Sequence, residues 1–375
     1  MITRRRRWMA MLALAPALVG CSIGDVRRLP PAPTSVPSTS TPSSPVPTQI
    51  AEIRGSRLAV PQRYDQPYVE FVDASRGYAL FSACDGRPPG PDCPALLWST
   101  IDGGRSWQRL RHPKPVADNQ QMYALPGVLA LWAEPHGWWT STDGGRTFQH
   151  RPGEAAPPQW QAAQGKFQII EETGKVGRWT GKALRPLATQ PPLPALNMVV
   201  QGDGWMVRDG IKYYGPLVAA GAGEDGRPYA AISWDEGRRW EKTPVPAPDG
   251  AVWLLRTELA AGELWLIGER PDRISFPVLW RLEGGSWQRV RAEGNPEAGR
   301  AVPLGAEVVA VISSRGAGAL LGGRYVDLPR WPLTDRHHLR RLSDGTLFAG
   351  TSETILLGIG HLGDRTWVQV VLEMD

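Results

Sequence analysis

Cysteine and histidine are scarce in this chain, which has three cysteines and six histidines among 375 residues. No His-Glu-x-x-His motif occurs, and the adjacent His337 and His338 would point to opposite sides of a strand. The Gly-x-Ser-x-Gly elbow of serine hydrolases and the glycine-rich phosphate-binding loop are absent as well. The sequence therefore predicts no metal site, no cofactor and no catalytic residue of these classes. The histidines are His112, His136, His150, His337, His338 and His361.

Long apolar segments are missing too, because the apolar run from Trp8 to Val19 is too short to span a bilayer as a permanent helix. That run follows four arginines, Arg4 to Arg7, and precedes a small residue, Gly20. A basic start, a short apolar centre and a small residue are the three parts of a secretory signal. We therefore expect residues 1–20 to be a signal peptide and the protein to be exported.

The residues around the first cysteine predict a lipid anchor. Leu18-Val19-Gly20-Cys21 resembles the lipobox of bacterial lipoproteins, which implies lipidation of Cys21 and cleavage in front of it. Several acyl chains on one residue would anchor the chain stably. We expect a lipoprotein at the periplasmic or extracellular face of the cell envelope. Ser22 follows the predicted lipidated cysteine, and by resemblance to sorting rules in two-membrane bacteria a serine there is compatible with transport of the lipoprotein to the outer membrane.

The basic charge of the chain belongs mostly to the predicted signal peptide. The net charge is +5, and it falls to about +1 when the four arginines of residues 1–20 are left out. We therefore expect no nucleic-acid partner. Once Cys21 carries lipid, Cys84 and Cys93 remain as a pair within a Gly- and Pro-rich stretch, and an oxidising compartment favours a disulfide between them. Two thiolates without a nearby histidine are too few ligands for a zinc site.

Two regions follow the predicted signal peptide. Residues 21–50 comprise the lipidated cysteine and a stretch rich in Pro, Ser and Thr, which predicts an extended tether with a reach of up to ~80 Å. Residues 51–375 form one domain in which short apolar runs such as 78–81, 128–131 and 308–312 are bounded by turn-forming residues. This pattern predicts an all-β fold of many short strands.

The domain contains an internal repeat. Residues 97–107 and 138–148 share Ser or Thr before Asp, two glycines and a closing aromatic, and their aspartates are 41 positions apart. Residues 232–240 are a third copy, and residues 279–287 are a fourth that has lost the Asp. These residues resemble the Asp-box, or BNR, repeat of sialidases, sortilin-type receptors and photosystem II assembly factors, which implies a β-propeller.

The repeat also predicts the number of blades. Weaker copies near residues 181, 322 and 364 complete a set with 102, 143, 235 and 283 as turn centres. Seven units share 325 residues, or about 46 each, which suits a blade of four strands. We predict seven blades and leave six or eight open, because the long stretch 204–229 could hide or stretch a unit.

The repeat residues are expected to be structural. In each copy the Asp should accept backbone N–H groups across a hairpin turn, the Gly should adopt positive φ, and the aromatic residue should pack on the blade. Family members carry these turns away from the central channel, so the resemblance implies no role in ligand binding. The residues are Asp102, Gly104, Trp107, Asp143, Gly145, Phe148, Asp235, Gly237 and Trp240.

Two functions are compatible with this fold. The first is a binding or assembly module, expected to be monomeric, that uses one propeller face for a protein or glycan partner. The alternative is an exported sialidase-like glycoside hydrolase, which needs several arginines, a tyrosine and carboxylates converging at the channel mouth. The family's Arg-Ile-Pro element is absent, since its nearest likeness, residues 28–30, lies in the tether. Five tryptophans have no assigned role in the repeat: Trp132, Trp138, Trp205, Trp253 and Trp265.

Overall fold

The computed structural model describes residues 49–208, 210–223, 225–243, 245–246, 252–361 and 365–375. The predicted signal peptide, the predicted lipidation site Cys21 and all but the last two residues of the predicted tether lie outside these ranges. Within the described residues, no helix has the length and apolar character needed to cross a bilayer.

The described strands are arranged in eight sheets, seven of which form the blades of a β-propeller, and the eighth is a two-stranded hairpin. This confirms the predicted fold and blade number. The strands are β1 (Ile50–Leu58), β2 (Tyr68–Phe71), β3 (Gly77–Phe81), β4 (Leu96–Thr100), β5 (Gln108–Leu110), β6 (Asn119–Leu125), β7 (Val128–Glu134), β8 (Gly137–Ser141), β9 (Gln149–Arg151), β10 (Phe167–Ile170), β11 (Lys175–Trp179), β12 (Leu184–Pro186), β13 (Met198–Gln201), β14 (Trp205–Arg208), β15 (Ile211–Tyr214), β16 (Leu217–Ala222), β17 (Pro228–Ser233), β18 (Glu241–Thr243), β19 (Leu254–Ala260), β20 (Glu263–Glu269), β21 (Val278–Glu283), β22 (Ser286–Arg289), β23 (Arg300–Gly305), β24 (Val308–Ser313), β25 (Gly316–Leu321), β26 (Arg324–Asp327), β27 (His338–Arg341), β28 (Leu347–Gly350), β29 (Ile355–Ile359) and β30 (Thr366–Met374).

Each blade is an antiparallel meander in which consecutive strands pair. Blade 1 is β2–β5, blade 2 is β6–β9, blade 3 is β10–β12, blade 4 is β13 with β16–β18, blade 5 is β19–β22, blade 6 is β23–β26 and blade 7 is β27–β30. The first strands of neighbouring blades lie against one another and line the central channel. The fourth strands lie at the rim.

Two blades depart from four plain strands. Blade 3 has three strands, and they follow a short helix, α1 (Pro158–Ala163), which begins with a proline at a position where its missing N–H is tolerated. Blade 4 carries an insertion, because the hairpin β14–β15 lies between its first strand β13 and its second strand β16. The insertion accounts for the length of the stretch 204–229 without an eighth blade.

The ring is closed by the first strand of the domain. Strand β1 pairs in parallel with β30, the last strand, from Ile50 opposite Trp367 to Leu58 opposite Met374. Blade 7 therefore has five strands. Because both ends of the domain meet in one sheet, residues 49–375 form a closed and self-contained folding unit.

Hydrophobic layers lie between neighbouring blades. One layer joins blades 4 and 5 through residues such as Leu266, Trp280 and Trp287, which are at most 2% exposed. Further layers join blades 1 and 2, blades 5 and 6, and blades 6 and 7. Two more clusters join blade 1 to blade 7 and β1. The inner strands are buried on both faces, which explains why their sequences read as continuous apolar runs rather than alternating ones.

The two ends of the blades carry different connections. In every four-stranded blade, the link from first to second strand and the link from third to fourth strand lie at one end, which we call the turn end. The links from second to third strand and from one blade to the next lie at the opposite end, which we call the crossover end. Six of the seven predicted turn centres fall near the link between the third and fourth strands of their blades, and the seventh, near residue 181, falls between the last two strands of the three-stranded blade 3.

Candidate functional site

The repeat aspartates organise turns at the turn end. In blade 1, the Asp102 carboxylate accepts the Ser106 N–H at 2.9 Å and the hydroxyls of Ser106 and Thr100 at 2.5 and 2.8 Å. The Thr100 hydroxyl oxygen in turn accepts the Gly104 N–H at 2.9 Å. Burial alone would raise the pKa of Asp102, but the hydrogen bonds together outweigh it and lower the pKa to about 2. The carboxylate is therefore committed to the turn.

Blades 2 and 4 repeat this arrangement with one informative difference. Asp143 accepts the N–H groups of Arg146 and Thr147, each at 3.0 Å, and the Thr147 hydroxyl at 2.6 Å. Asp235 accepts the Arg239 N–H at 2.8 Å, but Arg239 stands where the other copies have Ser or Thr and has no hydroxyl to donate. The third copy therefore keeps the backbone hydrogen bond and loses the side-chain one.

The second glycine of each turn packs on the preceding blade. Gly104, Gly145 and Gly237 have φ of +89°, +90° and +84°. A Cβ atom on Gly145 would lie 2.4 Å from Leu110 of blade 1, and one on Gly237 would lie 2.4 Å from Leu187, which follows β12 of blade 3. Only glycine suits both the backbone conformation and the space. These turns therefore dock each blade on its neighbour and leave little of the motif free for a ligand.

The closing aromatic residues occupy the blade faces. Trp107 packs edge-on against Phe71 with ring centroids 6.1 Å apart, and Phe148 packs against the layer between blades 1 and 2. Trp287 and Trp367, the equivalents in blades 5 and 7, are at most 2% exposed. The indole nitrogen of Trp240 is also buried.

Cys84 and Cys93 form the predicted disulfide in the link between β3 and β4. This link lies at the crossover end of blade 1. The bond closes a loop of eight intervening residues whose ends also pair as backbone bridges, Cys84 with Arg87 and Gly90 with Cys93. Cys21, the predicted lipidation site, lies outside the described residues.

A cavity of about 610 Å³ opens at the crossover end of the channel. Its walls come from the first strands of blades 5, 6 and 7 and from the link between β20 and β21 of blade 5. Its charged and polar lining residues are Arg256, Glu258, Glu269, Arg270, Arg273, Arg300, His338, Arg340 and Arg341. Six arginines thus face two carboxylates, and we call this set the basic cavity.

On the blade 7 side, Arg340 connects the cavity to blade 1. Its guanidinium donates to the Glu70 carboxylate, and the Tyr68 hydroxyl donates to the other Glu70 oxygen. Burial and the bonded Glu70 carboxylate raise the pKa of Tyr68 well above its ordinary value of 10. Glu70 is therefore held between a cation and a phenol that keeps its proton.

On the blade 5 side, Arg256 is held by two carboxylates. It donates from Nη1 to Glu258 and from Nε to Glu269, both at 2.8 Å. Burial raises the pKa of Glu258 above 4.5, although the nearby Arg256 and Arg341 act in the opposite direction. Both acids of the cavity are therefore bound to one arginine, and they do not neutralise the others.

Two arginines of the basic cavity form no ion pair among the described residues. Arg300 donates a long hydrogen bond, 3.4 Å, to the His337 carbonyl, and Arg341 donates one of the same length to the Leu259 carbonyl. Burial lowers the pKa of His338, and the charges of Arg300 and Arg340 lower it further. Because that histidine is deprotonated more readily, the fixed positive charge of the cavity comes from its arginines.

The tryptophans without a role in the repeat have three different environments. Trp265 is fully buried in the layer between blades 5 and 6. Trp132 and Trp138 form a stacked group with Tyr123 and with Trp160 of α1, with centroids 5.2 to 5.6 Å apart. Trp205 and Trp253 are 67% and 48% exposed. Exposure therefore separates the last two from the core residues.

Trp253 lies at the mouth of the basic cavity. The guanidinium of Arg273 covers its ring at 3.8 Å from the centroid. Ile274, the next residue, is 67% exposed. The mouth therefore joins a cation, an aromatic ring and an aliphatic side chain on one surface.

The described residues contain no group of three or more His, Cys, Asp or Glu side chains placed to hold a metal ion. The basic cavity itself had no local signal in the sequence. Its arginines stand on strands from three different blades, and each occurs in an ordinary strand sequence. Only the closure of the ring brings them together.

Comparison with protein-family models and with curated proteins gives no match for this sequence. Among solved structures, the chain is similar to YCF48 from Cyanidioschyzon merolae, with 12% identity, a TM-score of 0.41, and coverage of 80% of this chain and 94% of that one. It is similar to YCF48 bound to D1 peptide with 12% identity, a TM-score of 0.40, and coverage of 80% and 90%. It is also similar to a GH74 xyloglucanase from Xanthomonas campestris, with 16% identity, a TM-score of 0.29, and coverage of 80% and 46%. These likenesses carry no statement about a ligand of this chain.

Proposed function

We propose that this protein is an exported, lipid-anchored propeller that binds a protein partner by taking an acidic segment of it into the basic cavity. The observation that carries the proposal is the arrangement of arginines at the crossover end of the channel. Six of them line one cavity, and its two carboxylates are both engaged by Arg256. The remaining charge fits an anionic ligand.

The chemistry of arginine fits a carboxylate in particular. A guanidinium presents a planar fork of donors that matches both oxygens of a carboxylate, and it keeps its charge at every physiological pH. Arg300 and Arg341 each use one donor on a long bond to a carbonyl, so further donors remain for a ligand. The low polarisability of a partly enclosed site strengthens each such contact relative to water.

The mouth of the cavity adds an apolar component. Trp253 and Ile274 are exposed beside Arg273 and would contact residues that flank the acidic group. Exposed tryptophan and arginine side chains are frequent centres of binding energy in protein interfaces. A peptide with acidic and apolar side chains therefore uses more of this surface than a small anion does.

The anchor belongs to the same proposal. The lipobox-like residues 18–21 support lipidation of Cys21, and the following Pro-, Ser- and Thr-rich stretch supports a spacer. Replacing Cys21→Ser should release the protein from membranes into the soluble fraction. Retention of the variant in the membrane pellet would contradict the anchor without affecting the binding site.

The binding proposal is tested with two cavity charges reversed, Arg300→Glu and Arg341→Glu together. Poly-L-glutamate is the direct probe, and fluorescence anisotropy is the measurement. We expect the double variant to bind at least 10-fold more weakly, and the wild-type affinity to fall with rising salt. The matched control is Arg57→Glu, an exposed arginine of β1 that pairs with Glu373 at the rim. Equal loss in the control would show that net charge, not the cavity, is responsible.

The partner itself is sought by affinity capture from solubilised envelope, with the wild type and the double variant as baits. An envelope protein captured by the wild type and lost with the double variant supports the proposal. Proteins captured equally by both baits do not use the cavity. If poly-L-glutamate also fails to bind the wild type, the proposal is wrong.

A second function, glycoside hydrolysis, is favoured by one observation. The region of the basic cavity contains Tyr68, whose hydroxyl donates to Glu70, and a second carboxyl group, Glu258, whose pKa is raised. Arginines, a tyrosine and carboxylates that converge at the channel mouth are what a sialidase-like enzyme needs. However, Arg340 holds Glu70 as an ion pair, and that pairing weakens Glu70 as a base for the Tyr68 proton.

Hydrolysis of a fluorogenic sialoside by the purified protein tests the alternative. We expect no release above the level of a Tyr68→Phe, Glu70→Gln variant. Activity in the wild type that disappears in this variant would establish the enzyme. The acidic-peptide assay on the same two proteins then shows whether the cavity also binds.

A further inference from the structure

The hairpin β14–β15 is the most exposed aromatic element among the described residues. Trp205 is 67% exposed, Tyr214 61% and Ile211 55%. We call residues 205–214 the aromatic hairpin. Large apolar side chains grouped at the surface of a soluble domain usually mark a contact with another molecule or with a membrane.

The aromatic hairpin is not needed to build its blade. Strands β13 and β16 pair with each other directly, and the hairpin stands outside that sheet as a separate pair of strands. Tyr213 packs against Trp234 of the ring, with centroids 5.0 Å apart. The hairpin is therefore an addition to a complete propeller.

The register of the hairpin separates its two faces. Trp205 stands opposite Tyr214 across the two strands, and Tyr213, one position away, points to the other side. The face of Tyr213 contacts the ring, so the face of Trp205 and Tyr214 points outward. Their rings meet edge to face at 5.3 Å. Lys212 is exposed on the same strand as Tyr214.

This combination is typical of a surface that contacts lipid headgroups. Tryptophan and tyrosine place an apolar body and a polar edge at the boundary between water and hydrocarbon. A lysine beside them keeps its ammonium among the headgroups while its alkyl stem follows the apolar surface. Ile211, 55% exposed, stands on the Tyr213 face at the tip of the hairpin and adds an aliphatic side chain, which a glycan-binding platform of aromatic rings does not need.

The position of the aromatic hairpin in the ring supports a contact with the membrane. It links the first and second strands of blade 4, so it lies at the turn end. Strand β1 begins beside Trp367, next to the link between the third and fourth strands of blade 7, which is also at the turn end. Strand β1 therefore enters the ring at the end that carries the hairpin. The basic cavity opens at the opposite end.

We infer that the aromatic hairpin rests on the lipid headgroups of the membrane that carries the anchor and turns the basic cavity away from it. The inference rests on the proposed anchor for its physiological setting, because the tether gives the ring a high effective concentration at the bilayer. A weak contact is then sufficient. The hairpin orients the ring, and the lipid retains it.

Vesicle sedimentation of residues 49–375 tests the contact without the anchor. The probe is a large unilamellar vesicle of phosphatidylethanolamine and phosphatidylglycerol. We expect the wild type to partition measurably into the pellet, and the double variant Trp205→Ser, Tyr214→Ser to partition at least 10-fold less. The matched control is Trp253→Ser, which removes an exposed tryptophan of the crossover end and should leave partitioning unchanged.

Other outcomes overturn the inference. Absence of wild-type partitioning, or an equal loss with Trp253→Ser, shows that the hairpin does not contact lipid. A dimer seen by analytical ultracentrifugation and lost in the double variant, without vesicle binding, makes a second copy the partner of the hairpin. Binding of poly-L-glutamate by the same double variant shows that the ring is folded and that the basic cavity is intact, so failure here is separate from failure of the proposed function.

Discussion

Acidification should destabilise the propeller through one buried histidine, His112. This residue lies in the link between blades 1 and 2 and is 9% exposed. Its Nδ1 accepts the backbone N–H of Lys114 at 3.1 Å, so the ring is neutral, with its proton on Nε2. Nε2 is buried and has no partner among the described residues. A second proton would have to displace the Lys114 N–H and place a charge in a buried site.

The size of the effect follows from the pKa. Burial lowers the pKa of His112 from 6.5 to about 4, with a smaller opposing contribution from Gln120. Between pH 6.5 and pH 4 the unfolded chain binds a proton at His112 that the folded chain does not bind. The contribution of neutral His112 to the unfolding free energy is therefore fully present above pH 6.5 and is lost as the pH falls towards 4. The difference corresponds to about 3 kcal/mol of unfolding free energy.

Equilibrium urea unfolding of the wild type and of His112→Asn at pH 8, 6, 5 and 4 measures this effect. The Asn carbonyl oxygen can accept the Lys114 N–H and cannot be protonated in this range, so at pH 8 the variant shows only its packing loss. Towards pH 4 the variant should regain about 3 kcal/mol relative to the wild type. Taking the difference between the two proteins removes the contributions of His337 and His338, whose pKa values burial also lowers. A difference that stays constant from pH 8 to pH 4 would refute the reasoning.

Three further perturbations have defined outcomes. Asp143→Ala removes the acceptor of two backbone N–H groups and two hydroxyls and should lower the unfolding free energy by about 2 kcal/mol. Glu283→Ala in the fourth copy, where the repeat Asp is missing, should lower it by less, and urea titration compares the two variants. Replacing Cys84 and Cys93 by Ala opens a short loop and should lower the unfolding free energy by about 2–3 kcal/mol relative to the oxidised wild type. Relative to the reduced wild type, the variant should show no loss. Glu258→Gln should gain stability relative to the wild type as the pH rises above 4.5, since the raised pKa of Glu258 makes its ionisation unfavourable in the folded state; a constant difference would contradict this.

The blades could be predicted from the sequence because each repeat turn is a local structure. The Asp, the hydroxyl two residues before it and the backbone N–H groups that they bind lie within seven residues, 141–147 in blade 2, and their hydrogen bonds form inside that segment. Their spacing therefore marks one turn per blade. The weaker copies near residues 181 and 322 also lie between consecutive strands of their blades.

The basic cavity could not be predicted in this way. Glu70 and Arg340 are 270 positions apart and pair only because blade 7 closes against blade 1. The parallel pairing of β1 with β30 is equally distant, and it had no signal in the repeat. The sequence also did not separate exposed tryptophans from buried ones, because Trp205, Trp253 and Trp265 all stand outside the repeat and differ only in what surrounds them in the ring.

The pairing of β1 with β30 sets the order of events during folding. Strand β1 is synthesised before every other strand of the domain, and its partner, residues 366–374, follows the other strands. Until β30 is available, β1 is an exposed edge and blades 1 and 7 cannot meet, so the two clusters between them stay open. The ring should therefore close in a single late step, and the unfinished chain is the form most exposed to edge-to-edge association.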